Sequence, residues 1–405
     1  MYNTPIYAGN THLYSNAILH QSSPIMVCLY RQREELYSRT EYTPGESGEP
    51  TPFTKVSSVE HPPASPTTDL TFREVSVTRV KPIETHTECK GLTVMVLSPD
   101  YMSVVEFVKM EVIISNGVLA LHHFHPLFAI STEKGRKVLI YQISRNDDGT
   151  SSIVLVETLT GHNRKITAIS FCKLPDTTIQ IASGDDYGNV IVYRMDFEHP
   201  KSAKCVGILE NTLPDYCIAP PYPQITSIDW SGNTILLSGY STIWKIQSPV
   251  VFSPTETMWK ITTPIIAKSP PDLEAVSFEV YNVKLCCMHP SQQFFVTVSS
   301  FGKFVYLIEV HDTSTFKTKF TFKSEPPLNV FSMQFSVDGS KLLLGCTKET
   351  IVLNVQPDGA AMTLFSRYDV GHTRNVSSVI IRQTEQGDVV LSTDLTGMLV
   401  RSKLV

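Results

Sequence analysis

The pattern of apolar and polar residues changes little from residue 119 to the end of the chain. Short runs rich in Val, Ile, Phe and Tyr alternate with clusters of Gly, Pro, Asp and Asn. No long segment there has the 3.6-residue period of an amphipathic helix. Because short apolar runs bounded by turn-forming residues are typical of β-strands, the pattern predicts an all-β fold.

One of these runs recurs six times. Its members have apolar residues at the first and sixth positions, and the sixth-position residues are spaced by 47, 59, 58, 47 and 46 positions. The six runs are LALHHF (Leu119–Phe124), ITAISF (Ile166–Phe171), ITSIDW (Ile225–Trp230), VKLCCM (Val283–Met288), VFSMQF (Val330–Phe335) and VSSVII (Val376–Ile381). A second and a third strand follow each run after short turns. Three such strands and a more variable fourth predict the blades of a β-propeller.

The six runs also make a local prediction about the first strand of each blade. Side chains two positions apart share one face of a strand, so the fourth and sixth positions lie together while the first points to the other side. All six first positions are nevertheless apolar. A bulge near the start of the strand would bring the first position to the same face, and we expect one there.

The repeats resemble those of the WD-repeat family over residues 119–405. Gly161-His162 and Gly371-His372 match the Gly-His pair that precedes the first strand in that family. SGDDYGNVIVYR (Ser183–Arg194) is similar to the family's Ser-Gly-x-x-Asp-Gly-Thr-x-x-x-Trp-Asp ending. The resemblance implies a single β-propeller of the WD-repeat type.

The chain departs from the family pattern at several positions. Tyr187 stands where the family has a turn Asp, and Tyr193-Arg194 replaces Trp-Asp. The resemblance implies a hydrogen-bond network of His, Ser, Asp and Trp, of which His162 and Ser183 match two members, so we expect an incomplete network. We interpret Asp185-Asp186 as residues that support a tight turn rather than as a catalytic pair.

The last repeat lacks a fourth strand, because the chain stops soon after its third strand. An unpaired outer edge is a liability, so we predict that a strand from the first 118 residues joins the last blade and closes the ring. The strand-like runs there are Leu13–His20, Pro24–Arg31, Thr71–Val80, Leu92–Ser98 and Val104–Ser115. One closing strand and a four-stranded first blade would give seven blades. The alternative is a six-bladed ring with the N-terminal region packed outside it.

Composition divides the chain into three parts. Residues 43–68 contain six Pro, five Thr and four Ser, a composition that cannot bury enough apolar surface to offset its ordering entropy. We therefore predict a flexible Pro/Ser/Thr-rich loop at 43–70. Residues 1–42 would supply strands for ring closure or the first blade, and residues 71–405 would form the main body of the propeller.

Charge and cysteine content exclude several classes of protein. The net charge is −5 and there is no run of five basic residues, so we expect no direct nucleic-acid binding. No window approaches 18 uninterrupted apolar residues, which argues against membrane insertion. The eight cysteines form no Cys-x-x-Cys pair, and the adjacent Cys286 and Cys287 would point to opposite faces of a strand. This usage predicts a reduced compartment, cytoplasmic or nuclear.

Candidate chemistry in the sequence has ordinary structural explanations. The tract His122-His123-Phe124-His125 resembles a metal site, but one strand cannot supply the three or four ligands that zinc needs. We therefore predict no metal and no cofactor. The chain also lacks phosphate-binding, zinc-protease and nucleophile-elbow motifs. We predict that it is not an enzyme.

The loops that precede the first strands are the predicted contact sites, because recognition usually resides in loops carried by a rigid scaffold. Two Pro-rich insertions, before Trp230 and before Met288, add aromatic residues of the type that anchors interfaces. The candidate partner-binding residues are Asn163, Arg164, Lys165, Tyr222, Gln224, Trp259, Thr373, Arg374 and Asn375.

These features predict a non-catalytic scaffold that mediates contacts between proteins within a multiprotein complex. One alternative is a peptide or histone-tail reader, which would need Asp185, Asp186, Asp229 and Glu106 gathered on one face. The other alternative is an enzyme with an active site in the central channel. That alternative needs His, Asp or Glu clustered on the innermost strands, where the repeats are mostly apolar or small.

Overall fold

The structure is a computed structural model of the full chain. The structure describes residues 3–7, 16–20, 23–30, 91–98, 104–111, 118–132, 135–173, 178–209, 224–232, 234–239, 242–247, 265–266, 282–301, 305–322, 328–369, 371–372, 374–385, 387–395 and 398–404. The loop predicted at 43–70 lies outside these ranges.

The described strands form seven four-stranded antiparallel sheets, and each sheet is one blade. Blades 1 and 2 comprise β2 (Asn16–Leu19), β3 (Ile25–Tyr30), β4 (Gly91–Leu97) and β5 (Val104–Glu111), then β6 (Leu119–Leu121), β7 (Leu127–Ser131), β8 (Val138–Arg145) and β9 (Ser151–Leu159). Blades 3 and 4 comprise β10 (Ile166–Phe171), β11 (Thr178–Asp185), β12 (Val190–Asp196) and β13 (Lys204–Leu209), then β14 (Ile225–Ser231), β15 (Thr234–Gly239), β16 (Thr242–Gln247) and β17 (Ile265–Ile266).

Blades 5 to 7 continue the same order around the ring. Blades 5 and 6 comprise β18 (Asn282–Met288), β19 (Phe294–Phe301), β20 (Val305–Asp312) and β21 (Thr318–Phe322), then β22 (Val330–Phe335), β23 (Lys341–Cys346), β24 (Thr350–Val355) and β25 (Met362–Tyr368). Blade 7 comprises β26 (Val376–Thr384), β27 (Gly387–Asp394), β28 (Leu399–Lys403) and β1 (Asn3–Tyr7). A short 3-10 helix, Pro200–Ser202, precedes β13.

The ring is closed by the N-terminal strand β1, which pairs antiparallel with β28 and places Thr4 opposite Arg401. The prediction of closure by an N-terminal strand is confirmed, but the closing strand is not one of the five runs named from the sequence. Four of those runs correspond to β2–β5 of blade 1, and the fifth, Thr71–Val80, lies outside the described residues. The β1 segment was not predicted as a strand because it contains Pro5. Proline lacks an amide hydrogen and disfavours a strand in general, but it is tolerated in an edge strand such as β1.

The expected bulges are present in the innermost strands of blades 3 to 7, but the prediction is wrong for blade 2, where β6 pairs with β7 without a register shift. In each of blades 3 to 7, the pairing with the second strand shifts between the first and third positions of the repeat. The first-position residues are thereby fully buried, and they are Ile166, Ile225, Val283, Val330 and Val376.

The cores lie mainly between consecutive blades. One cluster joins Phe294 and Val296 of blade 5 to Leu342 and Leu353 of blade 6, and similar clusters join blades 1 and 2, 2 and 3, 3 and 4, and 6 and 7. Cys286 and Cys287 belong to different clusters, which confirms that they point to opposite faces of β18. A further cluster joins blades 4 and 5, and β2 of blade 1 contacts β26 of blade 7. Because every blade is thus packed on both sides, the ring is a stiff support for its loops.

Strand direction gives the ring two distinct faces. The chain enters each innermost strand on one side, called here the upper face, which also carries the turns between second and third strands. The opposite side, the lower face, carries the turns between first and second strands and between third and fourth strands. In the part of the chain that the structure describes, no helix is long and apolar enough to cross a membrane.

Candidate functional site

A buried hydrogen-bond network shapes the upper face of blade 3. His162 donates from Nδ1 to Asp185 Oδ2 (3.1 Å), and its Nε2 lies 2.8 Å from Ser183 Oγ. Asp185 Oδ1 also accepts the backbone N–H groups of Tyr187 and Asn189, at 2.9 Å each. Burial opposes ionisation of Asp185, but these hydrogen bonds outweigh it and lower the pKa of the carboxyl group. The network therefore fixes both the loop before β10 and the turn after β11.

The prediction of an incomplete network is wrong for its acidic member, because an acid does bind the histidine. Tyr187 occupies the family's Asp position, but Asp185, two residues earlier, binds the histidine in its place. Tyr193, in the family's Trp position, donates its hydroxyl to the backbone oxygen of Thr160 (2.8 Å), so it also holds the loop that carries His162. Asp185 supports its turn, as predicted, but no local pattern indicated its contact with His162.

Blade 7 repeats this arrangement around its own Gly-His pair. His372 Nε2 lies 2.7 Å from Ser392 Oγ, and Nδ1 lies 3.6 Å from Asp394 Oδ2. In both blades the acid is the second residue after the serine. The two blades therefore share the His–Ser hydrogen bond, but the His–Asp distance in blade 7 is too long for one. Asp394 instead accepts the backbone N–H of Arg374 (3.3 Å), so it holds the equivalent loop through the backbone.

Replacement of His162 by alanine is expected to lower the free energy of unfolding by about 1–3 kcal/mol, because it removes a partner from the buried Asp185 carboxylate. Urea denaturation of the full chain measures the effect. His199→Ala is a matched control: His199 also lies 3.1 Å from an acid, Asp196, but its side chain is 76% exposed. Equal destabilisation by the two substitutions would show that the buried network adds nothing.

The structure brings all six of the described candidate contact residues to the upper face. Asn163, Arg164 and Lys165 are exposed in the loop before β10, and Arg374 is exposed before β26. Two others on this face, Gln224 and Asn375, are half-buried. The remaining candidates, Tyr222, Trp259 and Thr373, lie outside the described residues.

Backbone hydrogen bonds hold these loops in place. The Asp186 N–H donates to the Lys165 oxygen (2.9 Å), and the Lys348 N–H donates to the Arg374 oxygen (3.2 Å). The Arg164 guanidinium lies 5.1 Å from the centre of the Tyr187 ring, within range of a cation–π contact. The exposed side chains of the upper face are thus carried on a fixed backbone.

The histidine tract on the lower face has a structural role that the sequence did not reveal. His122 Nδ1 accepts the backbone N–H groups of Phe124 (3.1 Å) and His125 (3.0 Å), so it caps the turn after β6. His20 and His289 cap the equivalent turns of blades 1 and 5 through Nδ1. A sequence pattern does indicate this capping role: a histidine directly follows the innermost strand in all three blades.

These capping interactions require unprotonated Nδ1 atoms. Burial, with a smaller contribution from nearby histidines, lowers the pKa of His122 to about 3. Burial likewise lowers the pKa of His20 to about 4. Among the described residues, no group of three or more His, Cys, Asp or Glu side chains is arranged to hold a metal ion.

The four carboxylates that a tail reader would need do not gather on one face. Glu106 lies on the outer strand β5, where it accepts the N–H and the hydroxyl of Ser151, at 2.6 Å each. Asp185 is buried in blade 3, and Asp229 lies in the channel beside Lys173. The acidic channel mouth of that hypothesis is therefore not formed by these residues.

The seven blades and their Gly-His networks define the class: the fold is a β-propeller of the WD-repeat type, and this chain is a divergent example. Two solved structures with this likeness are Sqt1 proteins, both with a TM-score of 0.54. The Saccharomyces cerevisiae protein is 12% identical over 100% of both chains. The Chaetomium thermophilum protein, solved bound to the N-terminus of the ribosomal protein L10, is 13% identical over 99% of this chain and 100% of its own. No family model and no curated protein sequence matches the chain.

Proposed function

We propose that this propeller is a non-catalytic scaffold that binds other proteins through its upper face, as a subunit of a larger complex. The observation that carries the proposal is a set of exposed side chains on loops whose backbones are held by hydrogen bonds. A partner that binds such a surface loses little free energy in ordering it. One of the similar structures, that of Chaetomium Sqt1, is itself a complex with a protein segment.

The positions of the long connections favour the upper face over the lower one. Three connections of 15 residues or more join strand ends on the upper face: residues 31–90, 210–224 and 267–281. A single connection of that length, 248–264, joins strand ends on the lower face. Loop length beyond what the fold needs is a common mark of a functional surface.

The charge of the upper face indicates what kind of surface it would bind. Its described loops carry six exposed basic residues: Arg136, Lys137, Arg164, Lys165, Lys348 and Arg374. Asp369 is the one exposed acidic residue in those same described loops. Because complementary charge speeds association and selects partners, we infer that the partner presents an acidic surface.

Reversal of three of these charges should abolish partner binding. The triple variant Arg164→Glu/Lys165→Glu/Arg374→Glu would repel an acidic partner surface. We therefore expect at least a tenfold decrease in the amount of the proteins that copurify with the intact chain. Quantitative mass spectrometry of nuclease-treated affinity purifications measures the loss.

The matched control is Arg145→Glu/Lys201→Glu/Lys317→Glu, which makes the same charge change at exposed residues of the lower face. We expect it to retain the partners. Equal loss in both variants, or retention in both, would contradict binding at the upper face. Partners that disappear after nuclease treatment alone would point to a nucleic-acid bridge instead.

A further inference from the structure

The central channel contains a cavity of about 230 Å³ on its lower side. Its walls are the innermost strands of blades 1 to 6, mainly at the positions near their lower ends. Most of the lining residues are apolar, but polar atoms make up about half of the lining surface. The polar residues include Lys173, Ser227, Asp229 and Gln334. The volume is below the roughly 300–1,000 Å³ typical of sites for drug-sized ligands, so the cavity fits a single small group.

One ion pair dominates the chemistry of this cavity. Lys173 Nζ lies 2.5 Å from Asp229 Oδ1, and Asp229 Oδ2 accepts the backbone N–H of Met288 (2.7 Å). Burial alone would lower the pKa of Lys173, but the adjacent carboxylate outweighs it and raises the pKa. Lys173 is therefore a cation whenever the protein is folded near neutral pH.

The unused donor capacity of the pair lies on the cation, which is also its more exposed member. Both oxygens of Asp229 are engaged, and its side chain is 10% exposed. The ammonium of Lys173 has three N–H donors, of which the ion pair uses one, and its side chain is 23% exposed. The cavity thus offers positive hydrogen-bond donors to a ligand, while each oxygen of its one carboxylate already has a partner.

Neighbouring groups complete a site for an anion. The Ser227 hydroxyl and the Gln334 amide line the same cavity and can each donate a hydrogen bond. His122 and His123 also line it, and burial lowers the pKa of both, so they are neutral and the ammonium of Lys173, paired with Asp229, is the cation of the lining. Charge-assisted hydrogen bonds from lysine to a carboxylate are among the strong ones in proteins.

A purely structural role is a poor explanation for the ion pair of Lys173 and Asp229. It connects blades 3, 4 and 5, but packed apolar residues of similar size often stabilise a protein interior as well as a buried ion pair. The other innermost strands pack in this ring without such a pair in the described cavity lining. We propose that the cavity binds the carboxylate of a small acid or of a peptide C-terminus, with the Lys173 ammonium as its anchor.

Titration calorimetry and thermal shift on the full chain test this proposal with three probes: succinate, N-acetyl-triglycine with a free carboxyl group, and the same tripeptide as its C-terminal amide. We expect saturable binding of a carboxylate probe and at least a tenfold weaker response to the amide. Binding of succinate alone would indicate a small acid, and binding of the free tripeptide would indicate a chain terminus. No binding of either acid, or equal binding of the amide, would overturn the proposal.

A double variant, Lys173→Met/Asp229→Leu, removes both charges and leaves no unpaired buried ion. It should lose carboxylate binding at least tenfold, whereas Lys165→Met, which removes a lysine from the upper face, should keep it. Retained binding in the double variant would also overturn the proposal. If the double variant does not fold, the comparison of acid with amide on the unmodified chain still decides. The cavity is on the lower side, so this outcome is independent of partner binding at the upper face.

Discussion

Deletion of residues 1–8 is expected to destabilise the protein by about 2–6 kcal/mol, since it removes β1 and its four register pairs with β28. The outer edge of β28 would then be unpaired, and exposed strand edges promote association. Urea denaturation and size-exclusion chromatography of the truncated chain measure the two effects. We expect a lower unfolding midpoint and a shift toward larger species.

The matched control is deletion of eight residues within 43–70, which the composition predicts to be a loop and which should leave both measurements unchanged. Other contacts also join the two ends of the ring: the Leu19 N–H donates to Ser378 Oγ (3.3 Å), and Arg382 donates to the His20 backbone oxygen. These contacts cannot replace β1, because they lie on innermost strands and do not cover the edge of β28. An unchanged midpoint in a monomeric truncated chain would show that β1 does not close the ring.

Acid should weaken the fold steeply between pH 6.5 and pH 4. Burial is the main cause that lowers the pKa of His122 to about 3, and of His20 and His311 to about 4 each. These side chains are neutral in the folded protein, while in the unfolded chain they protonate near pH 6.5. The contribution of these neutral histidines to the free energy of unfolding is complete above pH 6.5. It is lost as the pH falls toward their pKa values in the folded protein, by about 1.4 kcal/mol per pH unit for each histidine.

The slope of unfolding free energy against pH, measured by urea denaturation, tests this linkage. His311 Nε2 lies 2.9 Å from Thr297 Oγ1, and His311→Gln keeps a polar group near that hydroxyl. The substitution removes one titrating histidine, so it should reduce the slope by the contribution of a single histidine. The exposed His199→Gln should leave the slope unchanged. A slope that is the same in both variants and in the unmodified chain would contradict the assignment of neutral buried histidines.

The repeat pattern allowed the blades to be predicted because each blade buries the same positions. The apolar first position of each run, for example Ile166 or Val376, could only be buried together with the fourth if the strand was bulged, and the bulges are there. The adjacent Cys286 and Cys287 were placed correctly for the same reason. These predictions rest on local geometry and need no knowledge of distant contacts.

Contacts between residues far apart in sequence were not predictable in this way. Asp185 looked like a turn residue because its bonds to Tyr187 and Asn189 are local, whereas its bond to His162 spans 23 positions. The pairing of Lys173 with Asp229 depends on how blades 3 and 4 pack. The closing strand at Asn3–Tyr7 was missed because its five residues include a proline and carry no periodic pattern.

Hydrogen exchange of the intact chain, alone and with its purified partner, tests the central claim most directly. We predict protection on complex formation in peptides covering 160–165, 186–189 and 371–376, the upper-face loops and turns of blades 3 and 7. Peptides covering 122–126 and 289–293, turns of the lower face, should exchange at the same rate in both samples. Protection confined to those lower-face turns, with the upper face unchanged, would contradict the account.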